Sequence, residues 1–288
     1  MKSDFEIGML WVEGRMSYVE VLCAKSFADA GHHVKLYHYG PIPNAPDFVE
    51  MVDGNTILRA DRFLRHGKTG SFALFSDVFR YHLLQKSDRM IWADLDAYCV
   101  KAFETATGHF YGWASDDLIN GGVLGLPSDS DALGQLLKMT DDEYSIPEWY
   151  PDAEKLRMEK LRDEGQPIHV GDLPWGVWGP HALTHYLQKT GEAKFAQPIS
   201  GLYPVNFRDR RQLMKARMLD KIERLIQPET YSVHFYGRRV REYLASLGGY
   251  PQKGSYLDRI LTQHEIDVDA YPVWSRDDAA SPDATKVA

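Results

Sequence analysis

A strand–helix–strand unit within the first forty residues places the strongest constraint on the fold. Residues 5–12 (FEIGMLWV) form an apolar, strand-like run that Gly14 interrupts. Ser17 caps a predicted helix whose apolar residues recur at helical spacing, and Gly31 ends that helix. Residues 34–39 (VKLYHY) alternate as a second strand does. This order of elements predicts an α/β fold.

Strands and helices alternate along the rest of the chain. A short strand is predicted near residues 56–58, and others at residues 90–93, 97–100, 110–113, 119–126 and 231–236. Helices are predicted at residues 72–86, 130–139, 152–164, 181–190 and 208–226. The polar, proline-punctuated residues 141–178 favour an excursion from the core. We predict one domain over residues 1–268 and a disordered tail over residues 269–288, where Asp, Ala and Pro accumulate.

Charge and cysteine usage exclude several classes of protein. A formal net charge of −8 argues against a general nucleic-acid binder, whose affinity depends on neutralising phosphates. Cys23 and Cys99 are too few for a disulfide framework and lack the spacing of metal ligands, which suits a reducing cytoplasm. No stretch approaches the roughly twenty apolar residues of a membrane span. We expect a cytoplasmic protein that is free or in peripheral contact with the inner face of the membrane.

An acidic pair, Asp94 and Asp96, follows the apolar strand predicted at residues 90–93. Ligands of open α/β sheets gather at the carboxyl ends of strands. Two carboxylates separated by one residue can bind one hard divalent cation, which leaves coordination positions for the oxygens of a diphosphate. The alternative is a solvated acidic turn. The apolar residues on both sides, Trp92 and Ala97, favour the metal site because carboxylates beside a core need a partner.

Asp77 and Arg80 lie one helical turn apart on the helix predicted at residues 72–86. Their spacing places both side chains on the same face of that helix. They form a surface ion pair, or they reach into the cleft that contains the acidic pair. The order of the helix and the acidic strand along the chain allows the second arrangement.

These segments resemble the DXD-motif family of retaining glycosyltransferases. The resemblance rests on residues 76–81 (SDVFRY) and 91–96 (IWADLD), and shorter islands at residues 10–14, 120–123 and 179–184 extend it over most of residues 5–240. The family includes yeast-type α-mannosyltransferases, bacterial capsule and lipopolysaccharide sugar transferases, and the catalytic domain of clostridial glucosylating toxins. Residues 86–89 replace the family's Gly-Gly turn, and Glu13 replaces a glycine of its opening motif, which leaves the subfamily open.

The resemblance implies a GT-A-type fold, with a mixed central sheet flanked by helices, and a metal-dependent sugar transfer with retention of configuration. Trp11 would lie against the nucleotide base, and Asp94 would contact the ribose or a metal-bound water. Asp77 and Arg80 would hold the donor sugar and its phosphates, and Asn120 would line the sugar pocket. The predicted donor-binding residues are Trp11, Asp77, Arg80, Trp92, Asp94 and Asn120.

The same resemblance implies a metal site and a catalytic set. Mn²⁺ or Mg²⁺ would be bound by Asp94, Asp96 and a late histidine, for which His234 is the candidate, although a core histidine explains it equally well. The predicted catalytic residues are Asp77, Arg80 and Asp117. Asp117 is an electrostatic partner for an oxocarbenium-like centre or, alternatively, part of an Asx turn.

The implied substrates are a nucleotide-diphosphate sugar donor and a glycan or glycolipid acceptor, in the synthesis of surface polysaccharide or glycolipid. Aromatic residues of the excursion and of its return to the core either pack a small lobe or stack on acceptor sugars, and packing is the simpler explanation. They are Trp149, Tyr150, Trp175 and Trp178. Two other functions remain. One is a noncatalytic glycosyltransferase-like protein that binds nucleotide or glycan. The other is a sugar nucleotidyltransferase. That class needs a Gly-rich basic loop near the N-terminus, and residues 13–15 (EGR) contain too few glycine and basic residues for such a loop.

Overall fold

A six-stranded mixed sheet forms the centre of this computed structural model, in which residues 3–273 are described. The strands are β1 Glu6–Leu10, β2 Val34–His38, β3 Glu50–Asp53, β4 Met90–Ala93, β5 Ala97–Cys99, β6 Phe110–Ser115, β7 Leu118–Gly125 and β8 Ser232–His234. The order in the sheet is β3-β2-β1-β4-β7-β6, with the first four strands parallel and β7 antiparallel to both of its neighbours. Strands β5 and β8 form a separate antiparallel pair.

Helices cover both faces of the sheet. They are α1 Tyr18–Asp29, α2 Ala73–Lys86, α3 Asp131–Thr140, α4 Asp152–Asp163, α5 Ala182–Lys189, α6 Ile199–Leu202, α7 Leu219–Leu225, α8 Gly237–Ser246 and α9 Tyr256–Gln263. Because side chains alternate along a strand, Trp92 of β4 packs in one core with α2, α3 and α5, whereas Ile91 packs in a second core with α1. The predicted α/β fold with a mixed sheet flanked by helices is confirmed.

Helix α1 lies between the sheet and the C-terminal part of the chain, and it is buried on most of its surface. Ser17 caps it as predicted, and Glu20 completes a capping box by accepting a hydrogen bond from the Ser17 backbone N–H at 2.8 Å. A helix that is apolar on nearly all sides belongs in the interior of a domain. The first turn of α1 forms part of the wall of the cleft described below.

Two predicted elements were wrong. The strand expected near residues 56–58 lies earlier, as β3, because Asp53 accepts a hydrogen bond from the Asn55 N–H and starts a 3₁₀ turn there. The continuous helix expected over residues 208–226 is broken into two 3₁₀ turns and α7. Its backbone groups near Met214 and Ala216 bond to Gln252 instead of along a helix.

The structure also adds detail to the predicted tail and to the predicted excursion. The described part of the predicted tail, residues 269–273, lies against α1, where the Tyr18 N–H donates to the Tyr271 carbonyl at 2.7 Å; residues 274–288 lie outside the described residues. In the excursion, α4 buries Met158 alone, but the chain returns to the core at Trp178. Within residues 3–273 no helix is both long and apolar enough to cross a lipid bilayer.

Candidate functional site

Two adjoining cavities of about 230 and 760 Å³ open beside the carboxyl ends of β1 and β4. The smaller one begins at Trp11, and the larger one extends past Asp77 and Asn120. They share the lining residues Ser71, Ala73, Arg80, Asp94, Asp96, Gly237 and Arg238. The cavities are therefore one cleft, and the acidic pair lies where its two parts meet.

The acidic pair occupies a tight turn between β4 and β5. The Asp94 N–H donates to the Gly122 carbonyl at 2.7 Å, and the Ala97 N–H donates back to the Asp94 carbonyl at 2.9 Å. The indole N–H of Trp92 donates to Asp94 Oδ1 at 2.8 Å, and the Gly237 N–H donates to Asp96 Oδ2 at 2.7 Å. One oxygen of each carboxylate thus accepts a hydrogen bond, and the other oxygen remains available for a ligand.

His234 joins the pair through the antiparallel pairing of β8 with β5, which places it opposite Ala97. Its Nε2 lies 3.6 Å from Asp96 Oδ1, and one ligand atom from each of Asp94, Asp96 and His234 lies within 4.8 Å of the other two. Asp96 Oδ1 and His234 Nδ1 are buried and have no hydrogen-bond partner among residues 3–273. Buried polar atoms without partners are rare. Two carboxylates and one imidazole fit Mn²⁺ or Mg²⁺.

Gly122 of β7 leaves the space that these side chains occupy. A Cβ atom at this position would lie 2.8 Å from His234 Cε1 and 3.3 Å from Asp94 Oδ2. We therefore expect Gly122→Ala to displace the imidazole and to weaken Mn²⁺ binding about tenfold or more, the loss typical of disturbing the groups that orient metal ligands. Calorimetric titration with Mn²⁺ measures the change.

Gly134→Ala is the matched control, because this glycine lies in α3 and a Cβ atom added there would have no neighbouring atom within 4 Å. It is expected to leave Mn²⁺ binding unchanged and to raise stability slightly, since alanine favours helix more than glycine does. Equal Mn²⁺ affinity in the two variants would contradict the assignment of His234 and Asp94 as ligands.

Arg80 lies at the centre of a buried ionic network. Its Nη2 is 3.3 Å from Asp77 Oδ1 and 3.2 Å from Asp94 Oδ1, and it donates to Ser76 Oγ at 3.0 Å. Its Nη1 donates to the Gly121 carbonyl. Arg80 and Asp77 are each 6% exposed. The helical spacing thus places both residues in the cleft, and the surface ion pair is excluded.

Burial sets the protonation of this network. It raises the pKa of Asp77 to about 7, with Arg80 opposing the shift and Asp94 adding to it. Burial raises the pKa of Asp94 as well, against the charge of Arg80. The chain passes close to Asp77 at Gly179, where a Cβ atom would lie 2.8 Å from Asp77 Oδ2. Asp77 is therefore a buried carboxyl group able to exchange a proton near neutral pH.

The end of the smaller cavity contains Trp11, which is 8% exposed, and the cation Arg241. The Arg241 guanidinium lies 6.0 Å from the centre of the Trp11 ring and pairs with the buried Glu20. Glu20, which completes the capping box of α1, was not among the residues singled out from the sequence. Its pairing with Arg241 joins positions 221 residues apart, and no local pattern indicates it.

Helix α8 points its N-terminus at the same cleft. Arg238, Arg239 and Arg241 lie near its beginning, and its first turn has no acidic residue. Its N-cap residue, Tyr236, has a φ of 59° and makes no side-chain cap. Cations are unfavourable at a helix N-terminus, and an anion bound there is stabilised both by them and by the positive end of the helix dipole. The basic run of residues 237–242 (GRRVRE), directly after the strand predicted at residues 231–236, was the available signal.

Of the remaining predicted residues, Asn120 and Trp92 lie at the cleft and Asp117 does not. Asn120 lines the larger cavity, and its Oδ1 accepts from the Gly122 N–H at 3.0 Å. Trp92 is 1% exposed, so it serves the cleft by holding Asp94 instead of offering its ring to a ligand. Asp117 lies in the exposed turn between β6 and β7, accepts from Ser115 Oγ at 2.8 Å and lines neither cavity. The structure does not bring Asp117 to the other candidates.

No protein-family profile matches the chain, and no curated protein matches its sequence. Several solved structures resemble it, including three glycosyltransferases. The PaToxG glycosyltransferase has a TM-score of 0.39 and 13% identity, over 66% of this chain and 74% of that one. Mouse xyloside xylosyltransferase 1 in its apo form has a TM-score of 0.32 and 10% identity, over 69% and 86%. The WbbM bifunctional glycosyltransferase has a TM-score of 0.32 and 12% identity, over 82% and 46%. These TM-scores are too low to indicate a function, so the function is inferred from the cleft itself.

Proposed function

We propose that this chain is a GT-A-type, metal-dependent glycosyltransferase that moves a sugar from a nucleotide-diphosphate donor to a glycan or glycolipid hydroxyl. The observation that carries the proposal is the convergence of Asp94, Asp96 and His234, with partnerless buried atoms on two of them, at the junction of two cavities. The larger cavity, at about 760 Å³, has the size of a small-molecule site.

The donor is oriented by the two parts of the cleft. The base lies at Trp11 in the smaller cavity, and the sugar lies beside Asp77 and Asn120 in the larger one. The diphosphate between them meets Arg238 and the N-terminus of α8. Held by Asp94, Asp96 and His234, Mn²⁺ or Mg²⁺ supplies Lewis-acid stabilisation of the diphosphate charge when bound.

The protein residues support departure of the nucleotide. Arginine beside the diphosphate stabilises negative charge that grows as the glycosidic bond stretches. Arg80 fixes the positions of Asp77 and Asp94 through its contacts with both. Transfer with retention follows a front-face course, in which the leaving phosphate takes the proton of the acceptor hydroxyl. This course needs no protein base, and it agrees with the absence of Asp117 from the cavity linings.

Calorimetric titration with UDP and with GDP, each with Mn²⁺ and with excess chelator, tests the donor site. We expect one of the two nucleotides to bind about tenfold more tightly with Mn²⁺, since the cation neutralises diphosphate charge. Hydrolysis of a panel of nucleotide sugars then tests turnover. Binding without hydrolysis or transfer would favour the noncatalytic alternative, and equal binding in chelator would contradict a metal-dependent site.

A further inference from the structure

The outer part of the larger cavity has a different character from its inner part. Two large aromatic side chains line it there, Trp175 at 53% exposure and Phe207 at 48%. They come from separate segments, the end of the excursion and the loop after α6. Trp178, only three residues from Trp175, is almost fully buried. Packing therefore explains Trp178 but leaves the two exposed rings of the cavity unexplained.

Both exposed rings contact other side chains. The buried His66 meets Trp175 edge to face, with ring centres 5.4 Å apart. Tyr236 meets Phe207 edge to face at 5.2 Å, and the Arg210 guanidinium lies 3.9 Å from the centre of the Phe207 ring. Rings that are fixed before a ligand arrives lose little entropy on binding. This arrangement suits a stacking surface more than a flexible loop.

The same region is positively charged in a chain whose net charge is −8. Arg239 lines the cavity and shares the carboxylate of Glu242 with Arg238. Arg210 donates from Nη1 to the Phe207 carbonyl, and its Nε is buried without a hydrogen-bond partner among residues 3–273. Burial lowers the pKa of Arg210, and the neighbouring positive charges of Arg211 and Arg239 lower it further. A cluster of this kind is stabilised by a bound anion.

We propose that this region is the acceptor subsite and that the acceptor is a carbohydrate carrying a carboxylate or a phosphate. Its sugar ring stacks on Trp175 and Phe207, because the C–H faces of sugars are apolar and aromatic rings offer large apolar surfaces. Its anionic group binds Arg239, which lines the cavity, because guanidinium groups form paired hydrogen bonds with both kinds of oxyanion. Arg210, which lies over the Phe207 ring, adds positive charge nearby. This assignment rests on the proposed function, since only a transferase has an acceptor.

Calorimetry on the full chain without donor tests the subsite directly. The probes are methyl glycosides of glucose, galactose and mannose, each compared as the neutral sugar, the uronic acid and the 6-phosphate. We expect an anionic form of at least one sugar to bind about tenfold more tightly than its neutral form, the gain typical of a hydrogen bond to a charged group. The uronic acids and phosphates distinguish the two sources of the charge.

Variants separate stacking from charge recognition. Arg239→Gln is expected to remove the preference for the anionic form, and Arg210→Gln to reduce it by removing a nearby positive charge. Trp175→Ala and Phe207→Ala are expected to weaken neutral and anionic forms alike. Arg217→Gln is the control, since Arg217 is exposed on the same segment and lines neither cavity. With an active donor, the ratio of transfer to hydrolysis should fall with binding in each of the four variants.

Three outcomes would overturn this assignment: no binding by any probe, equal binding of neutral and anionic forms, or a preference that survives in both arginine variants. Failure of the proposed function is a separate result. It is seen as the lack of metal-dependent donor hydrolysis when no acceptor is present, whereas binding of the methyl glycosides requires no donor.

Discussion

Asp96→Asn is expected to abolish metal-stimulated turnover of the donor while the chain remains folded. The wild-type carboxylate keeps Oδ1 buried and without a hydrogen-bond partner 3.6 Å from His234 Nε2, while Oδ2 accepts from the Gly237 N–H. The asparagine amide retains one oxygen for Gly237 but replaces the other with an NH₂ group that cannot bind a cation. We expect a loss of about a thousandfold, the order seen when a group that stabilises transition-state charge is removed.

The measurement is hydrolysis or transfer of the donor with Mn²⁺, together with the thermal unfolding midpoint. Asp129→Asn is a matched control, because Asp129 is exposed in the loop before α3 and lines neither cavity. Both variants should unfold near the wild-type temperature. Full activity of Asp96→Asn with Mn²⁺, or full activity of the wild type in excess chelator, would refute the metal assignment.

Arg80→Met should cause the largest loss of stability of any single change in the cleft. It removes the cation that lies within 3.3 Å of both Asp77 and Asp94, and it leaves the Gly121 carbonyl without this donor. Removing one partner from a buried ionic network costs about 3–5 kcal/mol, because the remaining charge is neither solvated nor paired. We expect that decrease in the free energy of unfolding in urea, and little donor turnover.

The pH dependence of this loss separates electrostatics from packing. The folded chain binds a proton at Asp77 more tightly than the unfolded chain does, because its pKa is raised from 3.8 to about 7. Stability therefore falls as pH rises between those two values, and the loss of Arg80 extends the effect to higher pH. The cost of Arg80→Met should shrink at pH 5, where Asp77 is protonated. A cost independent of pH would indicate lost packing instead.

Arg157→Met provides the comparison for Arg80→Met. Arg157 pairs with Glu154 on the exposed face of α4, and exposed ion pairs of this kind contribute little to stability. This variant should unfold at nearly the wild-type urea concentration, both at pH 5 and near neutral pH. A comparable loss in the two variants would mean that buried charge is not the cause.

Local patterns in the sequence were sufficient for most of the sheet and for the inner cleft. Residues 90–93 are apolar because both faces of β4 are covered, so the acidic pair after them marks the end of a buried strand. The spacing of Asp77 and Arg80 places them on one face of α2, and a helix forms largely from local contacts. Such features depend on residues a few positions apart, which is why the sequence indicates them.

Tertiary packing alone decided the rest of the site. His234 lies beside the acidic pair because β8 pairs with β5 across more than 130 positions of the chain, and nothing near it in sequence separates it from a core histidine. Packing also buries Trp178 while exposing Trp175, and it leaves Asp117 on a hairpin turn. The acidic pair, the helix with Asp77 and the strands follow from short-range periodicity. Which distant side chain joins the acidic pair depends on how those elements pack, because contact between distant residues carries no local pattern.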